Sequence, residues 1–436
     1  MKSDGYHGCR IAVIFFFLFA FLFNNYSVVG DGIYLYAKLE SLILDRDLNL
    51  INQRDNYRNK NMGAEGAETI PYGTAIFNAP FYLLALGLEK IPIFQKKIGR
   101  SNPAILDITA RTASINLASN FYTFITIVLS YKILTFLTLK VPAAFVIIAL
   151  LISTPLLYYS VFVPSLDHAI NTFLITFLVY LFLRLQDKRP IYQGLSLGAL
   201  LGIDTTVRFF DVFFLPWLLL YFLWSRRWDI AKYILFGFWL VIITFMIIDK
   251  GILYGVIKEY IGWHSGHIVT TNPIYIYPKY MFHLLFHPTH GLFLWSPLTL
   301  VSLIGLGYLY IYKEGPQLAV FLIGLFFVLA FSYSSISTWH GGWSFSARYL
   351  TSLFPIFLVG YAFFLKYHKR IGTTLGIIFT AYSFFLMLNH YLGVIHGETG
   401  TPFDMVRIWI SGEISWWDFL TKLYRYSIIN NLFQLM

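Results

Sequence analysis

Charge is scarce in this 436-residue sequence, where Asp, Glu, Lys and Arg together make up 12%. A soluble domain carries about twice that fraction. With 57% hydrophobic residues, the composition excludes a globule with a solvated surface and makes lipid the solvent for most of the chain. Cysteine is nearly missing. The single Cys9 excludes an intramolecular disulfide, and no lipobox-like small residues precede it, so no lipid anchor is expected there. Internal repeats, low-complexity tracts and a separate soluble domain are also lacking. A signal-peptide cleavage site is not found either. Lys2 and Arg10 precede an apolar run at residues 11–23, but Asn24, Asn25 and Tyr26 follow it where small residues would be needed. The run reads as an uncleaved first span that starts in the cytoplasm.

Aromatic residues are abundant at 19%, with 43 Phe and 31 Tyr, which suits a lipid-facing exterior and interfacial belts. Further apolar stretches centre on residues 112–132, 142–160, 169–185, 193–207, 210–224, 232–249, 291–311, 317–334, 350–365 and 372–390. The pattern predicts an all-α polytopic membrane protein with about eleven transmembrane helices, each near the ~20 residues that a bilayer core demands. The loops expected inside carry Lys132 and Lys140, then Arg184, Lys188 and Arg189, then Arg226 and Arg227, then Lys313, then Lys366, Lys369 and Arg370. Each satisfies the positive-inside rule. Topology thus accounts for the net charge of +10, and a nucleic-acid partner is not expected. Residues 74–91 are apolar but short and broken by Asn78 and Pro80, so they are expected as a helix lying on or dipping into the outer face, beside other juxtamembrane helices of the first outer loop. The outer segments are then 28–109, 161–168, 250–290 and 335–348. Residues 1–390 form one transmembrane unit, and 391–436 an outer-side tail with short helices.

Chemistry-bearing residues gather in these outer segments. Asp31 stands between Gly30 and Gly32 directly after the first span, on an open backbone. A carboxylate there suits a general base for a substrate arriving from water, although a solvated turn explains it as well. Tyr34 follows, then a short amphipathic helix over 34–44 that ends in Asp45, Arg46 and Asp47. Ser165, Asp167 and His168 cluster at the outer end of the fourth span, where a titratable pair suits hydrogen bonds to a phosphate or sugar, although Ser165 and Asp167 equally suit a helix N-cap. Asp204, Arg208 and Asp211 sit where the fifth and sixth spans meet outside, and Asp204 and Arg208, four apart, share a face if the helix persists. They read either as a site or as a self-neutralising pair, and a guanidinium suits phosphate oxygens. His264 and His267 have a metal-like spacing but lack Cys or carboxylate company. With His283, His287 and His290 they read as polar contacts to a sugar, a phosphate or the headgroup zone. Finally, Trp339, His340, Gly341, Gly342 and Arg348 combine a backbone that allows close approach with a cation at the interface.

The order of these segments resembles the GT-C superfamily of membrane glycosyltransferases. Within it the chain looks like the bacterial branch related to dolichyl-phosphate-mannose–protein mannosyltransferases. The likeness runs through Gly30-Asp31-Gly32 with Tyr34, Ser41 to Leu48, Pro71 to Thr74, Ala79 to Tyr82, His290 to Pro297, and Trp339 to Tyr349. It implies transfer of a sugar from a polyprenyl-phosphate donor to an acceptor hydroxyl of a glycan, lipid or protein, at the non-cytoplasmic face of a bacterial inner membrane. On that likeness Asp31 is the general base. Arg348, Arg208 and His168 hold the donor phosphate, and Tyr34, Asp47, His264, His290, Trp339 and His340 contact substrate. Many relatives carry an acid immediately after the first Asp, where this chain has Gly32. That leaves Asp31 as the lone carboxylate of the motif, and neither a metal nor another cofactor is expected. The rival expectation is a transporter or flippase of a lipid-linked glycan. The polar residues at the outer ends of spans favour the enzyme.

Overall fold

A computed structural model describes residues 5–24, 26, 28–47, 49–57, 72–99, 105–139, 141–248, 273–336 and 338–426. Among them the chain is helical, with only two isolated backbone bridges, Val29 to Ile105 and Ile98 to Ile108. Helix is what lipid dictates, because every backbone N–H and C=O must then be satisfied within its own segment. Several hydroxyl side chains inside the helices follow the same rule. Along one helix the hydroxyls of Thr123, Thr126 and Ser130 each donate to the carbonyl four residues earlier.

The helices run back and forth between two ends of a bundle. Helix α1 (Gly5–Phe23) leads to the first loop, which holds α2 (Asp31–Glu40), α3 (Ile51–Tyr57) and α4 (Gly73–Leu88). Helix α5 (Ala110–Phe136) returns, and α6 (Ala143–Ser153) with α7 (Pro155–Leu157) leads back up. Then come α8 (His168–Arg184), α9 (Pro190–Val207), α10 (Phe214–Trp224) and α11 (Trp228–Ile248). After α12 (Pro273–Phe286) and α13 (Leu292–Trp295), the chain continues through α14 (Leu298–Ile311), α15 (Pro316–Ser334), α16 (Phe354–Tyr367) and α17 (Lys369–Tyr391). Two short helices, α18 (Pro402–Ile410) and α19 (Trp416–Tyr426), close the described chain.

Small residues let these helices touch. A Cβ added at Gly198 on α9 would overlap the Ile234 carbonyl of α11, and Gly305 on α14 meets the Gly360 carbonyl on α16 in the same way. Such close backbone approach is how helices gain packing where lipid supplies no hydrophobic drive. The first loop has its own small core of Ile33, Tyr36, Leu39, Tyr72 and Tyr82. Helix α4 does lie where residues 74–91 were expected to form a short helix. It packs along α5, where the Tyr122 hydroxyl donates to the Phe77 carbonyl at 2.8 Å.

Helices lie over each of the stretches expected to span, and the chain has the make-up of a helical multi-pass membrane protein. The count is smaller than expected. Five helices among the described residues are long and apolar enough to cross a membrane alone, or six if the pair Ala143–Ser153 and Pro155–Phe162, bent by 71°, forms one span. Pro155 stands at the break of that bent pair. Other apolar helices are short: α8 and α14 have only 17 and 14 residues, under the ~20 of a straight crossing.

Candidate functional site

Helix α2 begins at Asp31 itself, three residues earlier than the sequence pattern suggested, after Gly30 takes a positive φ of 53°. That turn presents the Asp31 carboxylate to solvent with its side chain 55% exposed. Its partner comes from the far side of the sequence: Arg348 Nη2 donates to Asp31 Oδ2 at 3.1 Å. Arg348 is mostly buried, and its Nε has no acceptor. Gly341, at φ 73°, brings its backbone against this guanidinium, so an added Cβ would sit 2.5 Å from Nε. The close approach read from the Gly341-Gly342 pair is therefore an approach to Arg348. Gly32 is tight as well: an added Cβ would lie 2.7 Å from Ser165 Cβ and 2.9 Å from the Ser165 carbonyl oxygen. An acidic side chain at position 32 would have to displace this turn, which is a physical reason for glycine there.

Arg208 is the second buried cation of the site. Its Nε lies 3.3 Å from Asp167 Oδ2, and its Nη1 donates to His168 Nδ1 at 3.1 Å. Since a guanidinium only donates, Nδ1 accepts and His168 is assigned as the neutral tautomer protonated on Nε2. The guanidinium also lies 5.6 and 5.5 Å from the ring centres of Tyr333 and Tyr349, within cation–π range. Those two rings stack at 4.5 Å. On the other side the His168 ring packs 4.3 Å from Tyr159, whose hydroxyl accepts from the Phe345 N–H at 2.9 Å.

Two sequence expectations are corrected here. Asp167 occupies the N-cap position of α8 but makes no side-chain capping bond; its carboxylate goes to Arg208. Burial pushes that carboxyl up, against the pull of Arg208. Asp204 and Arg208 do not pair across a shared helical face. Helix α9 stops at Val207 and Arg208 turns extended, with φ −135° and ψ 110°, which swings its side chain away. Asp204 instead accepts from Asn171 Nδ2 at 2.9 Å, and the same amide donates to Asp211 Oδ2.

Beyond Arg348 stands a wall of rings. Trp339 is buried, with ring centres 5.6, 5.2 and 5.6 Å from those of His283, His287 and His340. His340 Nδ1 accepts the Gly342 N–H at 3.0 Å. His290 is buried between the Thr289 hydroxyl, 2.9 Å from Nδ1, and the Gly397 carbonyl, 3.3 Å from Nε2. Burial, reinforced by His340, pushes its pKa down to about 3, so it is neutral. His264 and His267 lie outside the described residues. Among the described residues no group of three or more His, Cys, Asp or Glu is placed to hold a metal ion.

Tyr34 and Asp47 serve the first loop. Tyr34 packs against its small core, while Asp47 Oδ1 accepts from the Ser41 hydroxyl at 2.9 Å and the Asn49 N–H at 3.1 Å. Sequence reasoning overlooked Tyr333, Tyr349 and Asn171. It also overlooked Glu40, whose carboxylate accepts from the Tyr57 hydroxyl at 2.5 Å and is held above its usual range by burial. Tyr349 stood in plain view beside Arg348. Nothing in the sequence marked the others.

An apolar cavity of about 510 Å³ opens near this cluster, walled by Phe213, Trp217, Leu220, Met281, Phe327 and Phe331. Rings connect it to Arg208: Phe213 lies 6.2 Å from Phe210, which stacks at 4.8 Å on Tyr333. A carboxylate facing water, two buried guanidinium groups and an adjoining apolar cavity make a place for an amphiphile with an anionic head. Compared with known proteins, the chain matches no family model and no curated protein sequence.

Proposed function

We propose that this protein is a membrane glycosyltransferase that moves a sugar from a polyprenyl-phosphate donor to an acceptor hydroxyl. The observation that carries the reading is the convergence of Asp31, Arg348, Arg208 and His168, from four separate segments, beside an apolar cavity. The donor phosphate sits between Arg348 and Arg208, where the Arg348 Nε has no acceptor of its own, and the prenyl chain enters the cavity. Asp31 takes the proton of the acceptor hydroxyl as its oxygen bonds to the anomeric carbon and the bond from that carbon to the phosphate oxygen breaks. The leaving phosphate keeps the electron pair, and the two guanidinium groups stabilise its charge in a water-poor site.

The reading extends to topology. Every group of this site lies at one end of the helices, at the starts of α2, α8 and α16 and the ends of α9 and α15. The basic clusters Arg184 to Arg189, Arg226 with Arg227, Lys313, and Lys366 to Arg370 lie at the other end. With some spans made of short or bent helices, eleven crossings place the N-terminus in the cytoplasm and the site on the opposite face of a bacterial inner membrane.

One observation favours the transporter reading: Asp204, Asn171 and Asp211 form a fully buried polar group within the bundle, the kind of feature that marks ion pathways. Transfer from radiolabelled polyprenyl-phosphate sugars into membrane extracts distinguishes the two, comparing the parent with Asp31→Asn at equal abundance. Label moved by the parent and not by the variant supports the enzyme and its base. Donor flipped across vesicles without turnover would replace the enzyme with the transporter.

A further inference from the structure

The tail helices after residue 391, which no part of the proposed reaction uses, carry apolar residues that remain exposed among the described residues. In α18, Pro402, Met405 and Trp409 face the bundle, while Phe403, Val406 and Ile410 are 66%, 48% and 81% exposed. Helix α19 repeats the arrangement. Phe419 is buried, yet Trp417, Leu420 and Tyr424 are 77%, 52% and 51% exposed. Both exposed sets follow the i, i+3, i+7 spacing of one helical stripe, next to the packed stripe, and charged residues such as Asp418 and Lys422 fall on the opposite side. Each helix therefore has an apolar arc about twice as wide as its contact with the bundle. A contiguous apolar patch of this kind marks an interaction surface.

Where the two helices sit says what covers them. Helix α17 is long and apolar enough to cross a membrane, and its last turns carry both tail helices. Phe385 packs against Trp409, Trp416 and Phe419 with ring centres 5.4 to 6.2 Å apart. Trp409 Nε1 donates to Asn389 Oδ1 at 2.9 Å. Only residues 392–401 separate α17 from α18. The stripes are thus held at the depth where a span leaves the bilayer, where tryptophan and amphipathic helices settle among headgroups. We infer that α18 and α19 lie in the membrane interface at the site end of the bundle, with Phe403, Val406, Ile410, Trp417, Leu420 and Tyr424 inserted among the lipids.

The tether also reaches the candidate site. Between α17 and α18, His396 packs 4.6 Å from Trp343, and the Gly397 carbonyl accepts from His290. The segment that carries the tail helices is thus packed against the ring wall.

The test uses the full chain with Cys9→Ala, carrying one environment-sensitive dye on Ile410→Cys, Trp417→Cys or, as control, Lys422→Cys. The protein is reconstituted into vesicles of phosphatidylethanolamine and phosphatidylglycerol with brominated acyl chains. Ile410 and Trp417 positions should show apolar emission and strong quenching by shallow bromine, and the Lys422 position should show neither. Water-like, unquenched emission at the first two positions would overturn the inference. So would apolar emission insensitive to bromine, with crosslinks between copies, because the cover would then be a second chain. In a second measurement, Ile410→Glu with Trp417→Glu should preserve thermal stability of the bundle while opening Arg407 and Lys422 to trypsin in vesicles. Unchanged protection would count against lipid as the cover.

Discussion

At the scale of single residues, the site separates groups that sequence can nominate from groups that only folding can. Asp31, Arg208, His168 and Arg348 are ionisable residues at span ends, where their cost makes them conspicuous. Asp167 was legible as a cap or as a polar contact to a phosphate or sugar, but not as the partner of Arg208, because that pairing depends on α9 ending one residue before Arg208. Tyr333 and Tyr349 are two tyrosines among 31, and their stacking beneath a guanidinium has no local signature. The proposed reaction makes Asp31→Asn the sharpest test: if Asp31 is its general base, the loss costs about 10²–10⁴-fold in rate, and transfer from labelled donor measures it. Arg348→Lys keeps charge but loses the planar fork whose Nη2 reaches Asp31. Turnover should fall by about 10²-fold with folding intact; parent-like turnover would remove Arg348 from the phosphate site. His290 makes a prediction in pH. Its pKa is about 3 in the fold against an ordinary 6.5, so between these values the unfolded chain binds more protons. Its stabilising contribution is complete above about pH 6.5 and is lost as pH falls toward 3. His290→Asn should flatten that acid limb in a thermal-melt series, and an unchanged limb would assign the acid sensitivity elsewhere.

At the scale of elements, what the sequence conveyed well was the existence of helices, because lipid permits little else. Their ends were harder to read. The amphipathic pattern over 34–44 gave a helix start three residues late, since Asp31 and Gly32 look like turn residues until Ser165 is found against them. Helix α9 ended where an i, i+4 pair suggested that it continued. Both misreadings come from tertiary contacts between segments more than a hundred or about forty residues apart in sequence, which no local pattern encodes. The Gly32–Ser165 contact is itself testable. Gly32→Asp, the residue type of the resembled family, has no room without moving the 163–167 turn and with it Asp167, the partner of Arg208. Transfer activity should drop at least tenfold, and Gly32→Asp combined with Ser165→Gly should recover part of it. Full activity in the single variant would show that the turn gives way at no functional cost.

For the whole molecule, direction matters more than any count of spans. Length and composition qualify five or six helices among the described residues as crossings, yet the site groups and the basic clusters Arg184 to Arg189, Arg226 with Arg227, Lys313, and Lys366 to Arg370 segregate to opposite ends of the helices whichever of them cross. The pairing of Lys366 and Tyr367 with Glu314 ties the basic end together, as Asp31 with Arg348 ties the site end. Charge asymmetry of this kind orients a polytopic protein with its basic end inside, and on the proposed function the site end is then the outer one. In a Cys9→Ala background, a cysteine at Thr399 should react with a membrane-impermeant maleimide on intact cells, while one at Lys313 should react only after permeabilisation. Labelling of Lys313→Cys alone on intact cells would invert the protein and put the proposed chemistry in the cytoplasm. Labelling of both would break the odd number of crossings between the basic end and the tail. Only the expected pattern is compatible with a sugar transferred outside the cell from a lipid carrier whose phosphate lies between Arg208 and Arg348.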